Sequence, residues 1–164
     1  AMFPPEKIRL GFLFTSAEET GMHGAEAFIN SDRCSTNIAV LNLDMVGAGN
    51  RLQWVTQEGV IFPIKTATSL NRLVTMADDS ASGIWYTRRS GDYLPFLEHH
   101  IPATSLQTSG HALAERYYHT IKDQMDNIQL STLDNTIRTV VKFIELFERF
   151  GVSEPFEQFK KQSR

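Results

Sequence analysis

Two adjacent glutamates, Glu18 and Glu19, sit between a strongly apolar run and two glycines in TSAEETGMHG, residues 15 to 24. Like charges side by side repel unless their surroundings compensate. A solvated turn tolerates such a pair, whereas a metal site uses it, one carboxylate binding the ion while its neighbour moves a proton. Further residues suit the second reading. Asp44 directly follows the apolar run NIAVLNL, and a carboxylate at the end of a buried strand needs a partner. His119 stands in AERYYHT, with Tyr118 before it and Asp123 four residues on. Hard carboxylates with one imidazole suit zinc, manganese or another first-row divalent ion. His23, His99, His100 and His111 have no clear ligating neighbour and read as surface or structural residues.

These side chains need elements to carry them, and the chain alternates strand and helix signals. The apolar run at 8–14 reads as a buried strand, followed by a short helix over 24–30 and a strand over 37–45 covered on both faces. RLQWVTQ reads as another strand. A helix starting near Pro63 puts Leu70, Leu73, Val74 and Ala77 on one face. GIWYT reads as a strand, DYLPFLEHH as a helix capped by Asp92, and IPATSLQ as a further strand. The helix over 131–150 has Ser131 and Asp134 at capping-box spacing and an apolar face of Leu133, Ile137, Val140, Val141 and Ile144. Such alternation implies an α/β sandwich with a mixed or largely parallel sheet, and such sheets bind ligands at the carboxyl ends of their strands. Glu18, Glu19, Asp44 and His119 are all expected at that edge.

Composition bounds what the chain does. With 164 residues, 41% of them hydrophobic, one domain with one packed core is expected over 1–164, with a polar tail over 151–164. A net charge of -3 without a basic stripe argues against nucleic acid as a partner. Cys34 is the sole cysteine, so it forms no intrachain disulfide and reads as a small buried or half-buried residue. No apolar run approaches the roughly 20 residues that span a bilayer, so no membrane partner is expected. Nothing in the segment reads as a signal peptide, and the compartment stays open.

The segments FLFTSAEETGMHGAEAF, NLDMVG, GDYLPFLEHHIPATSL and YYHTIKDQMDNI, in this order, resemble the motifs of the co-catalytic zinc aminopeptidases of metallopeptidase family twenty-eight, which includes bacterial leucyl aminopeptidases and aminopeptidase Y. The resemblance runs from about Ile8 to Phe150. It implies a three-layer α/β/α sandwich with a mixed, mostly parallel sheet of the phosphorylase/hydrolase-like kind, and peptide or protein N-termini as substrate. It also implies two zinc ions in a complete domain. Glu18 matches the general base, Glu19 and His119 ligands of one metal, and Asp44 a ligand of the other. Tyr118 matches a tyrosine that stabilises an oxyanion in some relatives, and Asp123 an outer partner that fixes a ligand. Two other classes share the fold: peptidase-like interaction modules without catalysis, and single-metal glutaminyl cyclases. The clustered carboxylates favour an enzyme, and the NLDMVG and YHT contexts favour an aminopeptidase.

The chain also departs from this pattern. Relatives supply a His-x-Asp motif and a metal-bridging Asp ahead of the Glu-Glu strand, and no His here is followed two residues later by Asp. The expectation is a domain truncated on its N-terminal side that binds zinc weakly, hydrolyses little and self-associates through an exposed sheet edge. Tyr93 stands where many relatives have His, and His100 where Gly often precedes IPA.

Overall fold

The computed structural model describes residues 6–34, 38–87, 90–110 and 117–151. Its strands are β1 (Val40–Leu43), β2 (Arg51–Glu58), β3 (Ile64–Lys65), β4 (Ser82–Tyr86) and β5 (Ala103–Ser109). Its helices are α1 (His23–Ile29), α2 (Thr68–Ala77), α3 (Leu94–Glu98) and α4 (Leu130–Phe150), with a 3-10 turn at Met125–Asn127. None of these helices is long and apolar enough to cross a membrane.

β2 organises the sheet. Its first half pairs antiparallel with β5, its last two residues pair antiparallel with β3, and β4 runs parallel beside it with a shift between Val55 and Gln57. β1 pairs parallel with β5 and forms one edge. Two pairings are thus parallel and two antiparallel, a mixed sheet.

Side chains alternate across a strand, so each strand feeds two layers. Val55, Tyr86 and Ala103 pack with Ala25 of α1 and with Tyr93, Phe96 and Ile101 around α3. On the opposite side Leu106 packs with Leu70, Leu73, Val74 and Ala77 of α2 and with Phe143 of α4. Helices cover both sheet faces, which makes three layers, and the buried face of α2 is the one its periodicity predicts.

Several local expectations need correction. Residues 8–14 form no strand; Phe12 is 84% and Phe14 93% exposed. A strand exists only where a neighbouring backbone takes its N–H and C=O groups, and no described strand lies beside this run. Residues 62–67, expected to open the second long helix, instead form β3 and its flanks, and α2 starts at Thr68. α4 begins at Leu130 with Gln129 as its cap and no side-chain cap bond, so Ser131 lies inside the helix and the capping box does not form. Its buried residues are Thr132, Thr136, Thr139 and Phe143, while Ile137 is 59% exposed. The tail beyond Gly151 lies outside the described residues, as does His111.

Candidate active site

Parallel pairing of β1 with β5 brings the residues after Leu43 and after Ser109 to one end of the sheet. Asp44 leaves β1 there, its N–H donating to the Leu106 carbonyl at 3.1 Å. His119 acts electrostatically on Glu18, as Asp44 does. The loop that carries Glu18 and Glu19 closes on itself: Gly21 and Met22 donate to the Glu18 carbonyl at 3.0 and 2.9 Å, and Gly24 donates to the Ser16 carbonyl at 3.0 Å. Gly24 suits that closure, because a Cβ there would meet Ser16 O at 2.5 Å.

At the residue level, His119 Nε2 lies 2.9 Å from Glu19 Oε1, with both side chains open to solvent. The Tyr118 ring packs on the His119 imidazole, centroids 3.9 Å apart at 39°. Glu18 is half-buried and takes no part in the Glu19 contact. Burial raises its pKa first, then the charges of Glu19, Asp44 and Asp92, against a lowering by His119. Three carboxylates and one imidazole therefore lie within electrostatic reach of Glu18, and they include Glu19, Asp44 and His119, picked out with it in the sequence. Asp123 is exposed in the turn that follows His119, its N–H bonded to the Thr120 carbonyl at 3.0 Å. No described side-chain contact joins it to the cluster.

Asp92 is the residue that sequence reasoning assigned elsewhere. It does not cap α3, whose cap position is Tyr93 without a side-chain bond. Instead Asp92 Oδ2 accepts from the Thr15 hydroxyl, and Asp92 Oδ1 is buried without a hydrogen-bond partner among the described residues. An acidic residue just ahead of an apolar helical stretch looks like a cap, and only the fold brings Thr15 beside it.

The donor chemistry fits a metal in part. Carboxylate and imidazole are suitable ligands, and Glu19 with His119 makes a close pair. Among the described residues, however, no three His, Cys, Asp or Glu side chains converge closely enough to hold an ion. The arrangement offers two side chains of ligating type in contact and, one residue along the backbone, a half-buried carboxylate whose pKa burial raises.

A family model described as peptidase family M28 matches residues 2–144. Among solved structures, BSAP, a zinc aminopeptidase from Bacillus subtilis, aligns at 23% identity over 86% of this chain and 37% of its own, with a TM-score of 0.63. The LapA aminopeptidase of Legionella pneumophila aligns at 20% identity over 82% of this chain and 38% of its own, TM-score 0.62. An aminopeptidase from Aneurinibacillus sp. strain AM-1 aligns at 26% identity over 78% and 31%, TM-score 0.59. The chain thus spans less than two-fifths of the length of these structures. No curated protein matches it in sequence.

Proposed function

This chain belongs to peptidase family M28, and from that premise we propose that it carries catalytic carboxylates of a metal-dependent aminopeptidase, cutting the peptide bond that follows a free N-terminal residue. The observation that carries this reading is the 2.9 Å contact of Glu19 with His119 beside a separate, half-buried Glu18. Glu19, His119 and Asp44 are the metal donors. Zinc, the metal in the name of a structural neighbour, supplies Lewis acidity to the attacking water and the scissile carbonyl when bound. Glu18 accepts the proton of that water, and its raised pKa suits a base that later returns the proton to the leaving amine. Tyr118, held against His119, donates its hydroxyl proton as a hydrogen bond toward the oxygen that gains charge. Two ions belong to a complete site. Because no three described ligands converge, the chain by itself binds zinc weakly and turns over slowly.

The test combines metal titration with hydrolysis of leucine p-nitroanilide by the full chain at saturating zinc. Glu18→Gln is expected to remove roughly 100-fold or more of the turnover, the scale of a general base, while leaving zinc affinity unchanged. Glu19→Gln and His119→Ala are expected to weaken zinc binding. Wild-type turnover by the Glu18→Gln variant would sink the assignment. A chain that neither takes up zinc nor hydrolyses the anilide would turn the reading toward a peptidase-like interaction module.

A further inference from the structure

We propose that the turn 90–92 positions the loop bearing Glu18 and Glu19, and that Asp92 is a positioning residue acting on that loop through Thr15. The catalytic consequence rests on the peptidase reading above; the mechanical role does not.

The loop over 15–24 is costly to hold. Ala17 at φ 60 and Met22 at φ 57 both sit in the left-handed region without being glycine, and such residues persist only where their surroundings over-determine them. Hydrogen bonds inside the loop fix its shape but not its place on the molecule. The run at 8–14, which precedes it, is outside the sheet, and only the backbone ahead of it, at Glu6 and Lys7, bonds to Glu148 of α4 among the described residues. Nearer the loop are α1 on one side, the turn 90–92 on the other, and the solvent-open contact of Glu19 with His119.

The turn touches both ends of the loop. Asp92 Oδ2 accepts from the Thr15 hydroxyl three residues before Glu18, and Ser90 Oγ, whose single proton Glu58 also draws, lies 3.3 Å from Met22 Sδ three residues after Glu19. The two catalytic carboxylates thus stand midway along a span held at both ends by one turn. The first grip is the stronger, since a hydroxyl bonded to a carboxylate oxygen exceeds a contact to thioether sulfur. Asp92 also carries a cost of its own, because its Oδ1 is buried without a described partner. A carboxylate that served only to cap the start of α3 would not need to face Thr15.

The experiment uses the full chain and three variants. Thr15→Val keeps shape and deletes the hydroxyl, Thr15→Ser keeps the hydroxyl, and the double variant Thr15→Val with Asp92→Asn asks whether the two act as one pair. Amide hydrogen exchange at Gly21, Met22 and Gly24 reports the loop, and exchange at Leu73 and Val74 of α2 reports the core. Thr15→Val is expected to speed loop exchange roughly ten- to hundred-fold, the range for a hydrogen bond to a charged group, with core exchange unchanged. Thr15→Ser should match wild type, and Asp92→Asn should add little to Thr15→Val. With zinc and leucine p-nitroanilide, Thr15→Val should lower kcat by a comparable factor at constant KM, and Thr15→Ser should restore it. Wild-type loop protection in Thr15→Val overturns the proposal whether or not the chain turns over substrate. Loosened loop amides in a chain whose wild type is inactive uphold the positioning role and count against the peptidase reading instead.

Discussion

Tyr93 stands where many relatives have His, and its surroundings account for the phenol. The ring is almost fully buried, and its hydroxyl donates to Glu58 Oε2 at 2.7 Å. Burial, then Glu58, pushes the Tyr93 pKa far above the phenol range, so it remains a donor at any ordinary pH. Burial also raises the Glu58 pKa, against hydrogen bonds from Ser90 and Tyr93 that lower it. A carboxyl whose folded pKa exceeds its unfolded value holds its proton more tightly in the native state. The native state therefore binds more protons between the ordinary value of 4.5 and that raised value, and stability falls as pH rises through the window. Glu58→Gln keeps an acceptor for Tyr93 and removes the charge. Its denaturation midpoint should match wild type below the window and equal or exceed it at neutral pH, and a variant that loses stability only at neutral pH would contradict this. Glu18, Glu19, Asp44 and His119 stood out as candidates in the sequence by type and order, and the fold brings Glu19, Asp44 and His119 near Glu18. Asp92 was not, since its partner Thr15 is 77 residues away along the chain.

The loop from β1 to β2 shows how elements fix the site. It begins with Asp44 and is held by threonines from two elements. Thr108 of β5 places its hydroxyl 2.7 Å from the carbonyls of both Met45 and Ala48, which share its one proton, and Thr132 of α4 donates to Gly49 O at 2.6 Å. Gly49 has φ 122, and a Cβ there would lie 2.6 Å from Ser109 O and 2.9 Å from Ser109 N. Gly49→Ala therefore brings both backbone strain and a clash with β5. It should cost about 1–3 kcal/mol, seen as a lower denaturant midpoint, with zinc affinity falling as Asp44 shifts. An unchanged midpoint would mean that the loop relaxes freely. These bonds also explain why the face of α4 was read only in part, with Val140 and Ile144 against the core but Ile137 exposed, while that of α2 was read in full. Apolar periodicity finds leucine and valine, whereas α4 buries threonines whose hydroxyls serve loop carbonyls. The end of α3 follows the same logic: His100 takes φ 60 where relatives often place Gly, and Ile101 N–H reaches back to the Phe96 carbonyl at 2.8 Å to close the helix.

Across the whole molecule, strand pairing was the least legible feature, because it joins segments far apart in sequence. The run at 8–14 has strand composition, yet composition cannot supply a neighbour. Its exposed Phe12 and Phe14 remain, and β1 ends the sheet with Leu43 47% exposed. An edge strand presents unpaired N–H and C=O groups to any chain able to extend the sheet, and natural edges usually carry Lys, Pro or a bulge to prevent it. β1, with the sequence VLNL, carries no charge or proline. The chain is therefore expected to self-associate through this edge, with apolar contact from Phe12 and Phe14 adding to backbone pairing. Sedimentation velocity should show the mean mass rising with protein concentration. Leu43→Lys should return the chain toward monomer, since a lysine on the edge must lose its hydration if a second strand pairs there, and Phe12→Ser with Phe14→Ser should weaken association without touching the backbone edge. The core clusters lie away from both changes, so thermal stability should hold in each variant. A wild-type chain that stays monomeric into the high micromolar range would show that this edge is already satisfied.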